Sequence, residues 1–445
     1  MNQARRTDII VTFDGVEITE DIRNFLTGIT YIDSEEDNAD DLQLTLQDRD
    51  NLWMQSWLQQ AMEASSTTKA ANATVTGTAY TVTAKSGLIL RAAPSKESAR
   101  LNCFAFGTPI NVLDASGSWF QVDAGGQSGY MWGGYLAPAA AAQTADSAAQ
   151  NASGQASTVA KSHGFLITAA FHRENWDDGH PNDLNCGQFE LDTIQCSGPP
   201  DVVTLKATAL PYSGTARQTE KSKTWENYML SGIGTEIAAG AGMAFMFESD
   251  TDILYTSIEQ KDEADIPFLL SCCHDAGLSL KISNNMIIIF DQVKYEAKDS
   301  VMTITKGDGS YKQHNLSTTK ANVQYTSCRV SYVTPEGIPI EGIYQLPDYK
   351  ADDSKNQRLE IHAKVNDIAE AQFLAEKKLR YHNKYEKICK FTLPGTPELV
   401  AGVCVTLANW GPWSGKYIIK EARHTYRRSG GYETQITLRR ILGGY

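Results

Sequence analysis

The chain is predicted to be mainly β with α+β parts: two β-barrels, the first interrupted by a small inserted β module, with an α+β subdomain between them. Three observations predict this. Apolar residues recur with a period of two along much of the chain, as at Ile9, Val11 and Phe13 or Leu42, Leu44 and Leu46, which is the pattern of half-buried strands. Two stretches made almost wholly of Ala, Ser, Thr, Gln, Asn and Gly, Glu63 to Thr76 and Ala137 to Ser162, bracket a short β-rich block. Helix-spaced apolar residues gather between about Gly214 and Lys298, and once more after Asn366.

The resulting division is a first barrel begun by residues 1–62, a flexible linker at 63–76, the inserted module at 77–138 and a second linker at 139–162. The first barrel resumes at 163–213, an α+β middle subdomain occupies 214–300, and a second barrel with one helix takes 301–445. The linkers lack aromatic residues and any sustained apolar face, so they bury too little surface to offset the entropy of ordering.

Taken in order, Ile9 to Phe13 forms a strand, Asp14-Gly15 a hairpin turn, and Leu42 to Gln47 a further strand. Beyond the insert, Phe165 to Phe171, Phe189 with Leu191, and Val203 to Ala209 keep the same alternation, so strands on both sides of the insert are needed to complete one barrel. In the middle, Trp225, Met229, Ile233 and Ile237 stand four apart and predict a helix over most of Thr224 to Ala239, stopped by Gly240 and Gly242. A second helix has Asp262 and Asp265 as caps, Pro267 in its first turn and Gly277 at its end. Ile253 to Gln260 and Leu278 to Phe290 read as strands, the latter turning at Asn284-Asn285. Further on, Asn322 to Val333 and Leu359 to Val365 are strands, Pro335 to Asn356 a hairpin or surface loop, and Asn366 caps a helix carrying Ile368, Ala371, Leu374, Ala375 and Leu379. The strands at Cys389 to Leu393, Val403 to Leu407, Tyr417 to Ala422 and Thr434 to Leu438 complete the second barrel.

Composition limits the function. With 445 residues and a net charge of −13, the chain disfavours specific nucleic-acid binding and anionic membranes, both of which need basic surface. No apolar run is long enough to span a bilayer, and MNQARRTD lacks the apolar core of a signal peptide, so a protein made in the cytoplasm, without membrane insertion, is expected. Eight cysteines, at 103, 186, 196, 272, 273, 328, 389 and 404, form no CxxC pair and read as reduced structural thiols.

No catalytic, cofactor or metal site is expected. Cys272-Cys273-His274 adjoins thiol and imidazole, but helical neighbours point about 100° apart, so the reading is two packed thiols and a helix-surface histidine. His172, His180, Cys186 and Cys196 match no ligand spacing. Glu35-Glu36-Asp37, Asp40-Asp41 and Asp177-Asp178 read as solvated loop carboxylates, without the apolar pocket that a glycoside-cleaving pair requires. Neither a G-x-S-x-G, an HExxH, a Walker loop nor a dinucleotide fingerprint occurs.

The insert, LILRAAPSKESARLNCFAFGTPINVLDASGSWFQVDAGGQSGYMWGGYLAP, resembles the bacterial SH3 module. The likeness rests on the strand ending in Arg91, the turn with Pro94, the G-T-x-I-x-V-L strand from Gly107, Gly117-x-Trp119-Phe120-x-Val122, and Gly129-Tyr130-Met131-x-Gly133 before Tyr135-Leu136. It implies a small barrel that binds peptidoglycan or its peptide stems, with Trp119, Phe120, Tyr130, Trp132 and Tyr135 as groove residues. The alternative it raises is a cell-wall hydrolase that uses the module for targeting.

The rest of the chain resembles the late control D family, hub proteins of contractile phage tails and related injection machines. The segments carrying this are ADDLQLTLQDRDNLW from Ala39, ENWDDG and CGQFELDTIQCSGPPDVVTLKATA between Glu174 and Ala209, and TWENYML from Thr224. They continue with IEQKDEADIPFLLSCCHDAGLSLKI from Ile258 and GKYIIKEARHTYRRSGGYETQITLRR from Gly415. The resemblance implies two β-barrel hub domains per subunit and a homotrimer whose six barrels match a six-fold tail tube protein on one side and a three-fold central spike protein on the other. It places the protein in the baseplate of a phage tail or a bacteriocin-like particle (a tailocin), beside other baseplate proteins.

Overall fold

The computed structural model describes residues 4–13, 16–17, 19–49, 78–82, 88–91, 93–95, 98, 100–104, 109–114, 118–124, 127–138, 165–176, 179–210, 219–319, 324–347, 349–350 and 356–443. Both expected linkers, the Asp14-Gly15 turn and Asp177-Asp178 lie outside them. The chain forms two compact units: a host of residues 1–67 with 161–445, and an insert of residues 68–160.

The host strands before the insert are β1 (Arg6–Phe13), β2 (Val16–Glu17), β3 (Leu26–Ser34) and β4 (Asp41–Gln47), with a short helix α1 (Thr19–Arg23). The insert holds β5 (Thr78–Val82), β6 (Leu88–Arg91), β7 (Arg100–Phe104), β8 (Pro109–Asp114), β9 (Trp119–Ala124), β10 (Gln127–Trp132) and β11 (Leu136–Pro138). It forms its own sheet in the order β11-β5-β8-β9-β10-β6-β7 around Leu88, Leu90, Ile110, Val112, Val122, Met131 and Leu136.

The host resumes with β12 (Leu166–Glu174), β13 (Asp183–Ser197) and β14 (Val202–Thr208). These interleave with the strands before the insert: β1 pairs with β12 from Arg6↔Glu174 to Phe13↔Ile167, and β14 with β4 from Val202↔Gln47 to Thr208↔Asp41. Alternation directs Leu42, Leu44 and Leu46 inward with Ile9, Val11, Phe171 and Leu205, into one hydrophobic core.

The middle segment contains β15 (Lys221–Met229), α2 (Leu230–Ala241), β16 (Ala244–Glu248), β17 (Leu254–Glu263), α3 (Asp265–Ala276), β18 (Ser279–Ser283), β19 (Met286–Phe290) and α4 (Gln292–Ala297). Here the expected helix over Thr224 to Ala239 is corrected, because its first part is strand. Lys221, Lys223 and Trp225 alternate with exposed Ser222, Thr224 and Glu226, and β15 pairs with β17. Trp225 and Ile233 enter the same core from different elements, so their helical spacing is coincidental. Gly242 and Gly277 close α2 and α3 in the left-handed conformation. Asp262 and Asp265 are not the caps of α3: the N-cap position is Ala264, while the Asp265 carboxylate accepts from Lys221 and Gln260. Asn284 and Asn285, both with positive φ, make the expected turn.

The remaining strands are β20 (Ser300–Thr305), β21 (Gln313–Thr318), β22 (Ser327–Val333), β23 (Pro339–Gln345), β24 (Arg358–His362), β25 (Lys387–Pro394), β26 (Cys404–Ala408), β27 (Gly415–Arg427) and β28 (Gly431–Arg440), with helix α5 (Ile368–Asn383). β22, β23 and β24 form a separate three-stranded sheet under α5, with β22 and β24 parallel. The cap of α5 is Asp367, whose side chain accepts from the Glu370 N–H, rather than Asn366, which donates to the Glu370 carboxylate.

The two barrels are one sheet. Among the described residues thirteen strands connect, and the joint is β27. Gly415 to Ile418 pair with β26, Glu421 to Arg427 pair with β3, and β28 runs along the other side of both halves.

Candidate functional site

In the insert, strand register sorts the five predicted groove residues. Trp119 stands directly opposite Trp132, and their rings meet edge to face at 5.5 Å between centroids. Tyr130, two residues before Trp132, shares that outward face. Trp132 is 36% exposed and Tyr135, in the 3-10 turn Gly133–Tyr135, is 52% exposed. Phe120, one residue out of phase, packs partly buried against the core and edge-on against Tyr80. Its ring lies so close to Gly133 that a Cβ there would sit 2.5 Å from it, so any larger residue would displace the ring or the turn. Trp119, Tyr130 and Trp132 thus share one outward strand face, with Trp132 its exposed ring, while Tyr135 is exposed in the turn that follows.

In the host, the segment from Asp33 to Asp40, where β3 ends and β4 begins, gathers charges from far along the chain. Glu35, Glu36 and Asp40 are only 1%, 3% and 0% exposed, so the expectation of solvated loop carboxylates is wrong for them. Glu35 accepts from Arg439 Nε at 3.0 Å and Nη2 at 2.6 Å, and Arg439 Nη1 donates to Glu296 at 2.6 Å. Arg380 donates to the other oxygen of Glu296 at 2.8 Å. Glu36 accepts from Lys384, from Tyr385 Oη at 2.7 Å and from Ser279 Oγ at 2.6 Å. Burial alone would raise the Glu36 pKa, but the Lys384 ammonium and these donors outweigh it and hold the carboxyl at about 2. Arg439 stays protonated because two carboxylates outweigh its burial. Each buried acid between Asp33 and Asp40 has a cation that lies more than two hundred residues away, which no local pattern could reveal.

The same region claims the histidine after the cysteine pair. Cys272 and Cys273 pack in the middle core, where burial pushes the Cys272 thiol up to about 12 and Cys273 well up, the wrong direction for a thiolate nucleophile. His274 is not a free surface residue: its Nε2 lies 2.9 Å from Asp37, and its ring rests on Tyr381. His172 meets Asp183 and His180 meets Glu398, while Cys186 is buried and Cys196 exposed, so these four are not brought together. Among the described residues no three metal-binding side chains converge.

Residues 86–137 match the family described as the bacterial SH3 domain. No curated protein matches the chain. Two solved structures match it nearly end to end. A tail protein from Neisseria meningitidis MC58 aligns with a TM-score of 0.56 at 9% identity, over 98% of this chain and 97% of its own. The 43 kDa tail protein of prophage MuSo2 from Shewanella oneidensis aligns at 0.55 and 10% identity, over 97% and 98%. The chain has the fold of phage tail proteins.

Proposed function

We propose that the protein is a structural hub of the baseplate in a contractile phage tail or a tail-like injection particle such as a bacteriocin. Three copies form a ring that joins the six-fold tail tube to the three-fold central spike, and other baseplate proteins assemble around it. The observation carrying this reading is that the likeness to tail proteins runs the length of both chains rather than through one barrel. The continuous sheet supports it, because strand-sharing barrels behave as a rigid block, which a load-bearing adaptor needs. Made in the bacterial cytoplasm, the protein works in the assembled baseplate and catalyses nothing itself.

Light scattering on the purified chain, alone and with its tube and spike partners, tests the reading. Three copies are expected; a chain that stays strictly monomeric with both partners present overturns it.

The module is an accessory that binds peptidoglycan or, failing that, a baseplate neighbour. Its exposed aromatic face supports a ligand of flat or sugar-like chemistry. Full-length protein should co-sediment with purified cell walls, and Trp132→Ala should lose most of that binding. If the unaltered protein does not sediment, the wall claim falls and the hub claim stands. The rival reading, a wall hydrolase, predicts clearing on a cell-wall gel that is lost in Cys273→Ala; no clearing is expected.

A further inference from the structure

The contact between the first barrel and the middle subdomain is a narrow seam. On one side is the turn from Ser34 to Asp40, on the other strand β18. Backbone bonds cross it twice, from Asp37 N to Leu280 O at 3.0 Å and from Asp40 N to Ile282 O at 3.2 Å, with one β-bridge between Ala39 and Ile282. Beside these bonds an open cleft of about 260 Å³ is lined by Asp37, Ala39, Asp41, Leu210, Leu270 and Ile282.

At the other flank two carboxylates share one ammonium. Lys281 bonds Asp33 directly, donates to Ser34 O at 3.0 Å, and stands 3.8 Å from Asp40. Asp33 also accepts from Ala401 N at 2.8 Å, and Asp40 from Ser34 N at 3.0 Å and Tyr31 Oη at 3.4 Å. The other ionisable groups coupled to the pair are Glu35, which acts on Lys281, Tyr31 and Cys186, whose titrations both aspartates influence, and His424, whose titration Asp33 influences. Cys186 has its thiol raised well up by burial, and His424 is held neutral at ordinary pH. With both aspartates ionised the site carries one uncompensated buried negative charge; one proton removes it.

We infer that the Asp33–Lys281–Asp40 cluster is a proton-operated latch, which holds the first barrel against the middle subdomain most firmly when Asp40 is protonated and loosens as that proton is lost. Burial, only partly offset by Lys281, raises the Asp40 carboxyl to about 7 in the closed seam. Opening exposes it to water, where an aspartate titrates near 4. Between those values the closed seam binds the extra proton, so its stability is full at the acid end, falls as pH rises, and levels off above about 7.

Hydrogen exchange of the full-length protein, read at the Asp37 and Asp40 amides and corrected for intrinsic exchange rate, tests this directly because both amides donate across the seam. Protection should fall by up to about tenfold per pH unit from pH 5 to 7, then flatten. Asp40→Asn should erase the slope. Asp33→Asn leaves Lys281 matched one to one with Asp40 and should move the fall to lower pH. Flat protection in the unaltered protein overturns the latch. So does a slope that survives in Asp40→Asn. Should Asp40→Asn fail to fold, an unmoved profile in Asp33→Asn overturns it.

Discussion

In the inserted module, seven buried hydrophobic side chains between Leu88 and Leu136 carry the core, and all strands of the sheet come from residues 78 to 138. In the host, β3 pairs with β27, setting Tyr31 opposite His424, and the buried acids of the β3–β4 turn meet Lys281, which two of them share, Lys384 and Arg439. The module is thus specified locally, the host by partners far apart in sequence. A locally specified unit survives transplantation into a loop, whereas a unit built on distant pairs loses its architecture when any one segment is missing.

Calorimetry can break or sharpen this contrast, since each unit should melt in its own transition. Arg439→Ala leaves Glu35 buried without its bidentate cation and Glu296 with Arg380 alone, and should cost the host about 3–5 kcal/mol, with the module transition unmoved. Both transitions moving together would dissolve the contrast. Leu90→Ala should lower only the module transition, by about 2–4 kcal/mol. Asp367→Ala removes the α5 cap and should cost the host about 1 kcal/mol.

Acid and base responses sharpen it further. Glu36, held near 2, contributes stability that is present above its ordinary pKa of 4.5 and is lost as pH falls toward 2. His424 is buried neutral, its pKa lowered to about 4; Leu399 O accepts from its Nε2, leaving Nδ1 to accept from Tyr432 Oη at 2.7 Å. Its contribution therefore grows as pH rises from about 4 to 6.5, while that of Asp40 declines. The two offset, so the host melting temperature should be nearly flat across that range and should rise with pH in Asp40→Asn. The smallest effect is expected at Trp132→Ala, within about 0.5 kcal/mol in the module transition.

Much of the β architecture was legible in the sequence, because alternation such as Leu42, Leu44 and Leu46 records burial residue by residue. The SH3-like character of the insert was legible in its motifs. What escaped was non-local. Phe120 differs from Trp119 only in phase, which pairing with Met131 decides. Trp225 mimicked helical spacing until β17 supplied a strand to pair with it. Glu35, Glu36 and Asp40 sit in a string of acids that reads as a solvated turn, and only the arrival of three distant cations makes it a core. His274 was legible as a helical residue but not as the partner of Asp37.

The pairing of β3 with β27 also sets an order of events during synthesis. Some 390 residues separate the two strands. At ribosomal speeds of about 5–20 residues per second, the edge of β3 waits roughly 20–80 seconds for its neighbour. In that interval the module is complete and free to fold, while Ile29 and Tyr31 await the strand that adjoins them. The host therefore closes last, from its C-terminal end, and an incomplete chain presents an open β edge that a chaperone, or another nascent copy, would meet first.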